Sequence, residues 1–198
     1  MCGIAGVFGL DNFPDGEAQT VSSKMVDAML HRGPNSQGFW SDNKNISLGH
    51  SRLCIFDTKS SEANQPLVDK SSGDALVFNG EIYNFLSLRA ELLASNECKH
   101  EFKTEGDSEV LFAALRFWGL DKTLHKLDGM FAFAWWNEDA EKLTLARDRF
   151  GIKPLYWSSE NEKGAILFAS EVRSLLASGC IARRVNKDAL TDYLRYST

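Results

Sequence analysis

The chain has 198 residues, 43% hydrophobic and 25% charged, with 22 basic against 27 acidic residues and a formal net charge of −5. That is the composition of a globular domain long enough to bury its own core. With no basic block longer than Arg183-Arg184 it excludes a nucleic-acid partner, and with no apolar run near the ~20 residues a bilayer requires and no secretory leader it predicts a cytoplasmic protein without a membrane partner.

In chain order, the apolar run CGIAGVF over 2–8 predicts a buried strand. Val21, Met25, Ala28 and Met29 recur at helical spacing and predict an amphipathic helix closed by Gly33-Pro34. Residues 37–40 and 46–56 predict strands, and 58–65 a loop. A β-type run at 75–78 meets Asn79-Gly80, a pair that makes a type I′ hairpin turn by default. Phe85, Leu88 and Leu92 then predict a helix, and Asp107 opens another whose stripe is Val110, Leu111, Ala114, Leu115 and Trp118. GMFAFAWW and KLTLAR flank the polar turn Asn137-Glu138-Asp139, and PLYW and AILFAS form a further strand pair. The stretch 186–198 predicts the start of a helix. Helices and strands in this irregular order predict an α+β domain of largely antiparallel sheets.

Cys2, Cys54, Cys98 and Cys180 form no C-x-x-C pair, and His31, His50, His100 and His125 no H-x-x-x-H pair. Neither a metal site nor a disulfide framework is expected.

Five residues carry candidate chemistry. If Met1 is trimmed, Cys2 becomes the chain terminus and holds a thiol beside an α-amine whose unperturbed pKa of ~7.7–8.0 suits it to take the thiol proton. The plain alternative is a small buried residue at a strand start. Asn79 and Gly80 either turn the chain or aim an amide and a backbone N–H at one point, an oxyanion hole whose donors contribute about 3–4 kcal/mol each. Arg52, in an otherwise apolar strand, is either a fork for a carboxylate or an edge residue with its head in water. Asp107 is a helix N-cap or an acid that holds an ammonium. Together they suit hydrolysis of a side-chain amide on a free amino acid.

The segments MCGIAGVFG, HRGPNSQG, GHSRLCIFD, QPL, VFNGEIYN, TEGDSEV, DGMFAFAWW and RDRFGIKPLYW resemble, in order, the N-terminal glutamine amidotransferase domain of asparagine synthetases. The resemblance runs from Met1 to about Leu176. It implies a class II amidotransferase with the N-terminal nucleophile hydrolase fold, a four-layer αββα sandwich of two antiparallel sheets. It implies catalysis by Cys2, with Asn79 and Gly80 at the oxyanion, and glutamine bound by Arg52, Leu53, Cys54, Ile55, Phe56, Asn79, Gly80, Glu81 and Asp107. Within it, Arg52 grips the α-carboxylate, and Glu81 and Asp107 hold the α-ammonium.

The same resemblance divides the chain into an amidotransferase domain at 1–185 and, at 186–198, the start of a linker to a C-terminal synthetase domain. That domain would bind ATP and Mg and make asparagine from aspartate with the released ammonia; no cofactor is expected in the residues given. A homodimer is left open. Two positions depart from the family pattern: Asn35 stands where Asp is usual, and Cys54 where Ser is common. Two other readings stay open, a glutaminase serving a sugar or peptide-like acceptor and a silent amino-acid-binding domain.

Overall fold

Alternating side chains give each strand two apolar faces here, so both sheets must be covered on both sides. The computed structural model describes residues 1–14, 16–54 and 63–196. One sheet comprises β1 (Gly3–Phe8), β2 (Ser36–Ser41), β3 (Ile46–Arg52), β8 (Tyr156–Ser158) and β9 (Ile166–Ala169), in the order β2-β3-β1-β9-β8. The other comprises β4 (Leu67–Val68), β5 (Ala75–Ile82), β6 (Gly129–Asn137) and β7 (Lys142–Arg147), in sequence order. Every pairing is antiparallel.

Three apolar clusters define the layers. Ile4, Ile46, Leu48 and Phe168 of the first sheet meet Ala75, Val77, Ala132, Ala134 and Trp136 of the second. The outer face of the first sheet, with Ala5 and Val7, packs against α1 (Glu17–Asp27) through Val21, Met25 and Val26, and against α5 (Val172–Ala177) through Leu175. The outer face of the second, with Leu76, Phe78 and Phe133, packs against α2 (Phe85–Ala94) through Leu88 and Leu92, and against α3 (Asp107–Trp118) through Val110 and Leu111. The order helix, sheet, sheet, helix is the predicted four-layer α+β sandwich. Among the described residues no helix is long and apolar enough to cross a membrane.

The structure corrects the turn expected at Asn79-Gly80. β5 runs straight through it, with Asn79 opposite Ala132 and Gly80 opposite Phe131. Pairing along the whole of β6 overrides the local turn signal. Glycine is needed at position 80 for close approach: a Cβ there would strike the Met130 carbonyl oxygen and lie 2.8 Å from Phe131 Cα.

Smaller differences concern ends and short elements. α1 stops at Asp27, and Met29 reaches the core from the closing turn, its N–H donating to Val26 O at 2.8 Å. Asp107 is the first residue of α3 rather than its cap, which is Gly106. β3 ends at Arg52, and the predicted strand residues Ile55 and Phe56 lie outside the described residues. The two-residue β4, α4 (Leu120–Lys126) and α5 are too short for periodicity to announce. α6 (Lys187–Tyr196) buries none of its residues.

Candidate active site

The ladder of β1 on β3 pairs Gly3 with Ser51, which brings Cys2 level with Arg52. Beyond the last pair the thiol meets the Leu53 main chain: Leu53 N–H donates to Cys2 Sγ at 3.4 Å, and the thiol lies 3.7 Å from Leu53 O. Arg32 anchors the chain end. Its Nε–H donates to the Cys2 carbonyl at 2.9 Å, its NH1 group donates to Glu171 Oε1 at 3.1 Å, and its own carbonyl accepts from the Met1 amine at 3.2 Å. The sequence reading missed this role. HRGP was visible as a motif, but its arginine acts on a residue 30 positions away.

Burial pushes the Cys2 thiol above its ordinary pKa, and the Leu53 N–H, the chain-terminal charge and Arg52 only partly oppose it. At neutral pH the sulfur is a thiol and needs a base.

Arg52 lies on a strand between β2 and β1 and is 8% exposed, so its head is not in open water. Its NH1 group donates to Asn64 Oδ1 at 2.7 Å. Cys54 N–H donates to Asn35 Oδ1 at 2.9 Å, and Asn35 N–H donates to Arg52 O at 3.1 Å. The two departures from the family pattern therefore touch. A neutral amide keeps the main-chain acceptor that a carboxylate would otherwise supply, without adding a negative charge beside the arginine. Ile55 and Phe56 fall outside the described residues.

Asn79 follows Ala75 and Val77 on the face of β5 that meets the first sheet. It is 2% exposed, and its Nδ2 has no hydrogen-bond partner among the described residues. Buried donors without acceptors are rare and costly, so this one points to a ligand.

Beyond β4 no strand of the described residues pairs with the outer edge of β5. Phe78 N–H donates to Gln65 Oε1 at 2.6 Å and Ile82 N–H to Asp107 Oδ2 at 2.9 Å. Alternation places Gly80 N–H on that same edge between them, and no side chain of the described residues accepts from it.

Asp107 is pushed above the usual carboxylate range, chiefly by burial; the Ile82 N–H and two further backbone N–H groups oppose this, and the charge of Glu81 adds to it. A cation beside Asp107 would offset both the burial and the Glu81 charge that raise its proton affinity. His50 of β3 is buried, and burial lowers its pKa to about 3 although the Phe78 carbonyl favours its charged form. It is a neutral ring packed against the peptide that precedes Asn79.

A separate cleft is bounded by β4, α3 and residues 98–103. It meets the site at Asn64. Arg116 and Glu109 in it are already committed, Arg116 to Asp69 and Asp74 and Glu109 to His100 and Thr104.

Cys2, Arg52 and Leu53 thus lie together at one end of the first sheet, and Asn79, Gly80 and Asp107 along β5 of the second, which faces it. A family model described as a glutamine amidotransferase domain matches residues 1–198. The chain belongs to this family. It is 38% identical over 197 residues to asparagine synthetase [glutamine-hydrolyzing] 1 of Bacillus subtilis, covering 99% of this chain and 30% of that protein. It is also 39% identical over 190 residues to amidase chry2 of Gibberella zeae, covering 90% of this chain and 27% of that one. The amidotransferase chain thus spans less than a third of either relative's length. In structure it resembles glutamine phosphoribosylpyrophosphate amidotransferase of B. subtilis, with a TM-score of 0.72 at 22% identity over 92% of this chain and 45% of that one. The amidotransferase domain therefore has the N-terminal nucleophile hydrolase fold.

Proposed function

We propose that the domain hydrolyses the side-chain amide of L-glutamine to glutamate and ammonia, with Cys2 as nucleophile. The observation that carries this reading is the buried Asn79 Nδ2, without a partner among the described residues, next to the outward Gly80 N–H, on the strand facing those of Cys2 and Arg52. With Met1 in place the Cys2 nitrogen is a peptide amide and no base. Once Met1 is removed it becomes an amine that takes the thiol proton, directly or through a water.

The thiolate attacks the glutamine Cδ, and the carbonyl electron pair moves onto oxygen, where Asn79 Nδ2 and Gly80 N–H donate to it. Collapse breaks the C–N bond, and ammonia leaves with the proton returned by the amine. Water then attacks the thioester by the same path, releasing glutamate and the thiol. Arg52 grips the α-carboxylate while Asp107 and Glu81 hold the α-ammonium. Leu53, Cys54, Ile55 and Phe56, which follow Arg52 in the chain, would contact the bound glutamine.

We further propose that 1–185 forms the glutaminase unit and that 186–198 begins a linker to a synthetase domain in cis. That domain would use ATP and Mg to amidate aspartate, in the cytoplasm. The likeness to amidase chry2 supports a second reading in which the ammonia goes to another acceptor. Glutamate release tests the glutaminase step, and mass spectrometry of products made by the full-length protein with ATP and aspartate tests the acceptor. Failure to form asparagine while glutamate accumulates would reject aspartate.

A further inference from the structure

The oxyanion-side donors belong to the second sheet and the nucleophile to the first, so their mutual placement needs a link between sheets. The apolar layer between the sheets and the contact of His50 with the Phe78 carbonyl give part of it, and Gln65 gives a further link. Gln65 is 8% exposed, and its Oε1 accepts the Phe78 N–H at 2.6 Å, one peptide before Asn79. Its main chain is pressed onto the first sheet, since a Cβ on Gly38 of β2 would strike Gln65 O and lie 3.3 Å from Pro66 Cδ. Its neighbour Asn64 accepts from Arg52 of β3 at 2.7 Å and from Ser36 Oγ of β2 at 3.4 Å.

The bond at Phe78 also solves a local problem. β4 covers only Leu76 and Ala75 of β5, so the next outward N–H groups, at 78, 80 and 82, have no strand of the described residues beside them. Side chains satisfy the first and third. Gln65 and Asp107 hold the edge on either side of Gly80, and the middle N–H is held in direction without being consumed.

We propose that Gln65 is a positioning residue for the oxyanion hole: by binding the Phe78 N–H it fixes β5 against the nucleophile's sheet and aims Asn79 Nδ2 and Gly80 N–H at the developing oxyanion. This rests on the glutaminase reading above. The effect belongs to the transition state, whereas Asn64, through Arg52, belongs to ground-state binding. Adjacent residues thus have opposite kinetic signatures.

The test compares Gln65→Met, which keeps volume but removes the acceptor, with Gln65→Glu, which retains an acceptor oxygen. Glutaminase assays on the Met1-processed chain should show kcat down about 10-fold or more in Gln65→Met with KM within about 2-fold, and Gln65→Glu within about 3-fold of the parent in both. Equal losses in both variants, a loss confined to KM, or an unchanged kcat in Gln65→Met would each overturn the proposal. Should Gln65→Met fail to fold, Gln65→Asn, whose shorter arm withdraws the acceptor, is expected to show the same fall in kcat, and a parental kcat there overturns the proposal. Amide exchange measured by NMR needs no substrate: Phe78 should exchange about 10-fold faster in Gln65→Met or Gln65→Asn and at the parental rate in Gln65→Glu. An inactive parent with that exchange pattern rejects the glutaminase reading and keeps the link between sheets, while an unaltered Phe78 amide rejects the link itself.

Discussion

Asp107 Oδ2 accepts the Ile82 N–H at 2.9 Å, so the carboxylate at the start of α3 is tied to the open edge of β5 before any substrate arrives. The same group is buried, and burial holds its pKa above the ordinary value. A carboxylate with a raised folded-state pKa binds its proton more tightly folded than unfolded, so the stability it contributes is present at low pH and lost as pH rises through the folded value. At neutral pH the ionised Asp107 costs stability.

Asp107→Asn keeps an oxygen for Ile82 and removes the charge. The expected outcome is a higher melting temperature at pH 7, by about 2–4 °C per kcal/mol relieved. Glutamine KM should rise about 10-fold or more, because the ammonium loses its ion-pair partner. Thermal melts beside steady-state kinetics decide it; an unchanged KM removes Asp107 from ammonium binding.

Asn79→Ala removes a donor proposed to act in the transition state. We expect kcat to fall by about 10²–10³ with little change in KM, as for the loss of one oxyanion-hole donor. Because Nδ2 is buried without a partner among the described residues, the variant should lose no stability through that donor. A rise in KM at constant kcat would show that Asn79 only binds.

Arg52→Ala should raise KM about 10–100-fold, the effect of losing a charge-assisted hydrogen bond, with a smaller change in kcat. Asn64→Ala should move KM in the same direction and less far, since Asn64 only steadies the guanidinium. Initial-rate measurements over a range of glutamine concentrations separate these outcomes, and a loss confined to kcat in either variant contradicts its role.

Acid should unfold the domain through three identifiable groups. Although burial opposes it, hydrogen bonds from His100, Lys103 and Thr104 carry Glu109 down to about 2, and Ser71, Ser72 and Arg116 do the same for Asp69. A depressed carboxylate contributes stability that is present above its unfolded pKa and lost as pH falls toward 2. His50, lowered to about 3, acts in the same direction earlier: the unfolded chain takes up its proton from about pH 6.5 downward. Urea midpoints should therefore fall between pH 6.5 and 4, and His50→Gln should flatten that limb. An equal slope in the variant removes His50 as its source.

Much of this was legible in the sequence. The apolar run CGIAGVF predicts a buried strand, GMFAFAWW and KLTLAR about a polar turn predict a hairpin, and the motifs beginning at Cys2 carry the family. The Asn79-Gly80 turn was misread because a dipeptide reports local preference, while its strand is set by eight paired residues of β6. Arg32, Asn64 and Gln65 were out of reach for a different reason. Each acts on a residue 12 to 31 positions away and on another element, and no local spacing encodes such a contact.

The central claim is that an N-terminal Cys2 performs the hydrolysis. The decisive measurement is glutamate release from glutamine by the chain with Met1 removed, run beside Cys2→Ala and beside a form whose α-amine is acetylated. The predicted result is turnover in the first, rising with pH as the α-amine loses its proton, and none above background in the other two. Turnover by Cys2→Ala would contradict the nucleophile, and turnover by the folded acetylated form would contradict the amine as its base.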